Sequence, residues 1–189
     1  MGMPVLQSHR WTADEVRALP EEPGKRFECV DGELLVSPGP RWAHQHAVIF
    51  LSANLYRYCA SSGVGAVLMG PGELELDMYT LVQPDIFVMP LAAGRLPQSQ
   101  KDTGNALLMI EVLSPGTARH DRIVKRPRYQ RQGVELWIVD LDSRLVERWT
   151  PDADRPEIVT DTLVWHPVDA AHALEIRLGE LFAGAMGEQ

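Results

Sequence analysis

Two carboxylates stand in apolar runs of this chain, and a basic segment follows them. Asp85 lies in Leu81-Val82-Gln83-Pro84-Asp85-Ile86-Phe87-Val88, and Glu111 in Ala106-Leu107-Leu108-Met109-Ile110-Glu111-Val112-Leu113. An acid buried among such neighbours needs a cation to meet it. A turn, Ser114-Pro115-Gly116-Thr117, then leads into a segment carrying Asp121 and Lys125. Two acids and an ammonium are the parts that hold a divalent metal against a phosphodiester. Carboxylate and carbonyl oxygens suit Mg2+. A bound metal lowers the pKa of its water and neutralises charge growing on the phosphoryl oxygens. A lysine beside it orients that water or stabilises the transition state. On neighbouring strands Asp85 and Glu111 could share one ion, with the backbone carbonyl of Val112 as a third ligand. Over a helix spanning 119–130, Asp121, Lys125 and Tyr129 follow i, i+4, i+8 and share one face. That face would aim Lys125 over the end of the sheet toward Glu111.

The elements that must position these groups are legible in outline. Thr12-Ala13-Asp14-Glu15 fits a capping box and starts a short helix that stops by Pro20. Residues 26–30 and 33–36 flank Asp31-Gly32, a two-residue hairpin signal. From 42 to 60, Ala47, Phe50, Leu51, Asn54, Leu55 and Tyr58 recur at helical spacing and predict one long amphipathic helix. Strands are expected over 63–69 and 72–77, then the Asp85 strand, a Gly- and Pro-rich loop over 92–105, and the Glu111 strand. After the basic helix come strands over 135–140 and 145–149, and the last forty residues read as short strands and a closing turn of helix. Helices interleaved with a mixed sheet give an α/β or α+β domain whose central sheet is covered on both faces.

At 189 residues the chain reads as one domain, with a core over about 11–150 and the strands and short helix of 151–189 completing it. Hydrophobic residues make up 45% and charged residues 23%, the balance of a soluble globular protein. No apolar run approaches the roughly 20 residues of a membrane span. The start, Met1-Gly2-Met3-Pro4-Val5-Leu6-Gln7, has no signal-peptide pattern, so the cytoplasm is the expected compartment. Cys29 and Cys59 read as reduced thiols packed as small hydrophobes. A net charge of −8 argues against indiscriminate nucleic-acid binding. Charge is uneven, however: Arg119, Arg122, Lys125, Arg126, Arg128 and Arg131 are six of the 18 Lys and Arg, with only Asp121 opposing them in that window. A local cationic face of this kind is compatible with a phosphate site.

Five motifs in order resemble one family. They are Phe27-Glu28-Cys29-Val30-Asp31-Gly32-Glu33-Leu34, Gln83-Pro84-Asp85, Glu111-Val112-Leu113-Ser114-Pro115-Gly116-Thr117, the segment from Asp121 to Lys125, and Gly133-Val134-Glu135-Leu136-Trp137-Ile138-Val139-Asp140. Together they resemble the Uma-type restriction-endonuclease-like family of the PD-(D/E)xK nuclease superfamily, over about 11–149. The resemblance implies a restriction-endonuclease-like core, a mixed sheet flanked by helices, with Mg2+ or Mn2+ held by Asp85 and Glu111. It further implies an acidic site residue at Glu28, a polar one at His44, and Lys125 as the lysine. The superfamily pattern puts that lysine two residues after the second acid, where this chain has Leu113, so the amine must reach in from the helix. Pro127 falls inside that helix, where it should kink it or fix its start.

Simpler readings stand beside these. Asp85 after Pro84 could be a turn acid. Asp121 with Lys125 could be an exposed i, i+4 pair. Glu28, alternating with Phe27 and Cys29, could face solvent. Tyr129, Trp137 and Trp149 read as packing residues rather than base-stacking platforms, and His120, His166 and His172 as surface. The expectation is a Mg2+-dependent endonuclease acting on DNA, with removal of either acid abolishing cleavage and even raising stability. The alternative is a nuclease fold that binds DNA or a protein without cutting. A glycosidase carboxylate pair, which needs no metal, finds no support in the sequence. Cleavage of both strands by one site per chain would favour a homodimer.

Overall fold

The computed structural model describes residues 9–98 and 105–188. The reading of residues 1–7, and the middle of the loop expected over 92–105, lie outside the described residues. Helix α1 (Ala13–Arg17) opens on the expected capping box, Thr12 and Glu15 each accepting from the other's backbone N–H. Strands β1 (Lys25–Val30) and β2 (Glu33–Pro38) form the hairpin. Its turn residues Asp31 and Gly32 have φ of 51° and 89°, as the paired left-handed positions of a type I′ turn require. Helix α2 (Trp42–Ser62) runs 21 residues and ends on Gly63 at φ 71°, so the strand expected from 63 begins three residues later.

Next come β3 (Ala66–Met69), β4 (Leu74–Asp77), β5 (Thr80–Val82), β6 (Ile86–Met89) and β7 (Leu108–Val112). The apolar run around Asp85 is therefore two strands rather than one, and they belong to different sheets. Pro84 has no N–H to give a ladder, which ends β5 and frees the chain to cross over. Asp85 stands in that crossing, at the mouth of β6.

Residues 118–131 then form three consecutive helical pieces: α3 (Ala118–His120), a π turn (Asp121–Lys125) and α4 (Arg126–Arg131). The Arg126 N–H bonds the Asp121 carbonyl, five residues back. Pro127 follows in the first turn of α4 and has no N–H to give, and the Arg122 carbonyl accepts from Arg126 Nε at 2.9 Å instead. The expected disturbance at Pro127 takes the form of this widened turn. Strands β8 (Glu135–Asp140), β9 (Leu145–Trp149), β10 (Glu157–Val159), β11 (Thr162–Trp165) and β12 (Leu174–Arg177) precede the closing helix α5 (Leu178–Met186).

The central sheet has the order β10-β9-β8-β7-β6-β3, with β7 and β8 parallel and the other neighbours antiparallel. A smaller sheet, β2-β1-β5-β4, lies against it. Alternate residues of the central strands feed two cores. Ile86, Val88, Ile110, Trp137 and Val139 pack with α2 and α5. Phe87, Met109, Leu136 and Ile138 pack with Val30, Leu35 and Val82 of the smaller sheet and with Tyr129 of α4. Both faces are covered, one by α2, α5 and the two-stranded β11-β12 sheet, the other by the smaller sheet and a short helix. Glu111 shares the parity of Met109 and so points to the second face.

Candidate active site

The register of β6 on β7 pairs Ile86 with Ile110. One step further it sets Asp85 opposite Glu111, so the two acids leave one face of the sheet at its end. Both are buried, at 4% and 3% exposure. Three other buried polar groups converge on them: Glu28 from β1, Asp121 and Lys125 from the π turn. His44, from the first turn of α2, completes the set.

Lys125 lies among the carboxylates. Its Nζ stands 2.9 Å from Glu28 Oε2, 3.3 Å from Glu111 Oε1 and 3.4 Å from Asp121 Oδ1. The amine thus reaches Glu111 from the helix, as the sequence required. Asp121 and Lys125 are not the exposed helix pair that spacing alone allowed; both are buried. Nor does Glu28 face solvent: its Oε1 accepts from the Gln83 N–H at 2.7 Å, tying β1 to the Pro84 crossing. Asp85 is held from three sides. Arg26 donates to its Oδ1 at 2.8 Å, while the Val112 N–H at 2.9 Å and His44 Nε2 at 3.0 Å meet its Oδ2. In an extended strand a residue's carbonyl leaves on the same side as its N–H, so the Val112 carbonyl also faces the Asp85 side. His44 Nδ1 and Asp121 Oδ1 are buried without hydrogen-bond partners.

Two members escaped the sequence reading. Arg26 stands two residues before Glu28, on the same face of β1, and an inward Glu28 would have brought it along. Tyr129, assigned to packing, is fully buried and its hydroxyl donates to Glu111 Oε1 at 2.8 Å. The i, i+8 spacing had already put it on the Lys125 face.

The electrostatics divide the cluster. Burial pushes the Asp85 carboxyl up, but His44, Arg26 and the Val112 N–H outweigh it and hold the group below its ordinary range. Glu111 goes the other way. Burial, with Asp121, Asp85 and Glu28 nearby, raises it well above a free glutamate despite Lys125. Asp121 is raised for the same reasons, burial first. Burial alone would lower Lys125, but Glu111, Glu28 and Asp121 hold its pKa well above normal, so the amine stays protonated. Burial and the carboxylate of Glu111 push the Tyr129 hydroxyl up in turn.

Four buried acids (Glu28, Asp85, Glu111 and Asp121) face two fixed cations, Lys125 and Arg26. With all four ionised the excess would be two negative charges, the charge of one divalent cation, and the raised Glu111 and Asp121 are the groups such an ion would help to ionise. A cavity of about 30 Å³ lies among Glu28, His44, Asp85, Glu111, Val112 and Lys125. It has room for a water-sized species but not for a nucleotide. Among the described residues no three His, Cys, Asp or Glu side chains converge as a ready-made metal centre. Magnesium needs no such trio, being held by one or two carboxylates with water filling the remaining positions. The donor set, the crowding of acids and the Asp121 Oδ1, which makes no hydrogen bond and has only the Lys125 ion pair at 3.4 Å, fit such an ion.

Four of the five arginines on the cationic face expected over 119–131 are engaged. Arg122 bonds Glu147 and Asp140 at 2.6 and 2.9 Å. Arg126 lies 4.3 Å over the Trp149 ring. Arg128 pairs with Asp77 and Asp31, and Arg131 with Asp31. These acids come from other strands, so the charge lopsided in sequence is balanced in space. Arg122, Arg126, Arg128 and Arg131 are therefore engaged within the fold rather than free for a phosphate.

A family model described as "Uma2: Putative restriction endonuclease" matches residues 13–179. The crystal structure of a putative nuclease belonging to DUF820 from Anabaena variabilis superposes with a TM-score of 0.72 at 20% identity, covering 93% of this chain and 99% of that one. At that identity the likeness shows the fold, which is of the restriction-endonuclease-like kind that the sequence implied. No curated protein matches the chain. Among the described residues no helix is long and apolar enough to cross a membrane.

Proposed function

The chain belongs to the Uma2 family, and from that and the buried cluster we propose that it is an endonuclease hydrolysing DNA phosphodiester bonds with Mg2+ or Mn2+. The observation that carries the reading is the juxtaposition of Asp85 and Glu111 across β6 and β7, among four buried acids and with the Lys125 amine on Glu111. Asp85, Glu111 and the Val112 carbonyl would hold the ion. When bound, it would polarise the phosphate and supply an acidified water.

The remaining work falls to this chain's own groups. Arg26 and His44 fix the Asp85 carboxylate so that its oxygens need no reorganisation when the ion arrives. Tyr129 and Lys125 orient Glu111. Lys125 is a permanent cation beside the place where charge would build on a scissile phosphate, and Glu28 anchors it there. The cavity is also lined by Ser37, Pro38, Pro40, Ser114 and Thr117, the side from which a phosphate would approach.

Incubating plasmid and single-stranded DNA with the protein, with and without Mg2+ or Mn2+, tests the reading. Cleavage that a chelator stops supports it; absence of cleavage under every metal condition rejects it. One observation favours a second reading, a nuclease fold that binds without cutting: Lys125 already neutralises part of the cluster with no metal. Calorimetry with Mn2+ separates the two, because a self-satisfied cluster has no need of the ion.

A further inference from the structure

Large exposed apolar residues are scattered singly over most of this surface, among them Val36, Met78, Leu96, Ile158 and Val168. Single exposures of that kind need no explanation. Helix α2 is different. Trp42 is 89% exposed, Ile49 65% and Tyr56 67%, and they are spaced by seven. Between and beyond them stand His46, Ala53 and Ala60, all exposed. The six alternate at intervals of four and three, a 3.5-residue repeat that a helix presents as one straight seam. The only formal charge in the 21 residues of α2 is Arg57, whereas an exposed helix face is ordinarily charged. Ala53 leaves a hollow in this seam, a groove of about 460 Å³ bounded by Ile49, Phe50 and Tyr56 with His46, Asn54 and Arg57 at its polar side.

We propose that this seam is a homodimer interface, occupied by α2 of a second copy packed antiparallel about a two-fold axis near residue 51. The sequence complements itself in that register. Trp42 meets Ala60 of the partner subunit, Ile49 meets Ala53 of the partner subunit, and Tyr56 meets His46 of the partner subunit. Every large side chain thereby faces a smaller one, as interdigitating helices require, and the two-fold repeats each contact. Arg57 falls opposite Gln45 of the partner subunit, so no like charges collide although each chain carries −8 overall. The area suffices. Trp and Tyr cover about 150–250 Å² each, so with Ile49 each copy brings on the order of 500 Å² from three residues. Both copies together approach the lower end of the ~1,200–2,000 Å² of stable interfaces before the other seam residues are counted. His44 lies on the buried face of the same helix, so the dimer leaves the acid cluster uncovered, and the proposal does not rest on the nuclease reading.

Sedimentation or light scattering at micromolar concentration tests it. Twice the chain mass is expected for the wild type and the single-chain mass for Ile49→Glu. A monomeric wild type overturns the proposal, and so does an Ile49→Glu protein that still dimerises. The register has its own test, since Cys29 and Cys59 are buried. Mild oxidation should cross-link the double variant Ile49→Cys/Ala53→Cys between copies and neither single variant. Failure of the double variant to cross-link, or equal cross-linking by a single one, overturns the antiparallel register.

Discussion

Asp85 and Glu111 face each other across two paired strands, equally buried, yet the protein treats them in opposite ways. Asp85 has a guanidinium, an imidazole and a backbone amide arranged around its two oxygens. Glu111 shares one lysine with two other acids. The first carboxylate is cheap to ionise and the second expensive. Burial alone does not decide what an acid costs; the number of competitors for its cation does. This also corrects the expectation that removing either acid stabilises the fold. The gain belongs to Glu111, while removing Asp85 strands Arg26.

The comparison can be broken most severely at its centre. Lys125→Met leaves Glu28, Glu111 and Asp121 buried without their shared cation, and should lower unfolding free energy by about 3–5 kcal/mol. Urea denaturation reads this directly, and a midpoint near wild type would show that the amine does not hold the cluster. Asp85→Asn should cost about 1–3 kcal/mol, chiefly by leaving the Arg26 guanidinium without its anion. Its pH dependence has a definite sign. The folded Asp85 titrates below the ordinary 3.8, so its contribution is present above that pH and fades as pH falls through the folded value. The gap between wild type and variant should therefore close on acidification.

Glu111→Gln should go the other way. Its folded pKa lies above the ordinary 4.5, so rising pH ionises the unfolded chain first and draws wild type toward unfolding. Relative to wild type the variant should gain stability as pH climbs beyond 4.5 toward the folded value, a rise that urea denaturation at several pH values reads. A variant that loses stability over the same range would contradict the crowding argument. The smallest effect belongs to the outer face of the same helical segment. Arg131→Ala removes a half-exposed pair with Asp31 and should change stability by less than about 1 kcal/mol.

What the sequence disclosed follows the range of the interactions involved. The capping box at Thr12 and the Asp31-Gly32 turn are set within four residues, and both formed as read. Helix α2 was legible from its period. Asp85 and Glu111 were legible because an acid in an apolar run is conspicuous. Pro84 should have divided that run and was read through, since the switch of sheets it permits depends on partners distant in sequence. The arginines of 119–131 looked unopposed because Asp31, Asp77, Asp140 and Glu147 meet them only in the folded chain. Arg26 and Tyr129 were missed for a related reason: each is an ordinary strand or helix residue until the facing acid is in place.

The central claim is that the pair at 85 and 111 serves metal-dependent cleavage of DNA. Its most direct test compares wild type with Glu111→Gln in a plasmid cleavage assay with Mg2+ or Mn2+, at matched urea stability. Chelator-sensitive cutting is expected of the wild type, and none of a variant that is folded as well or better. Undiminished cutting by Glu111→Gln, or cutting that persists in a chelator, would contradict it.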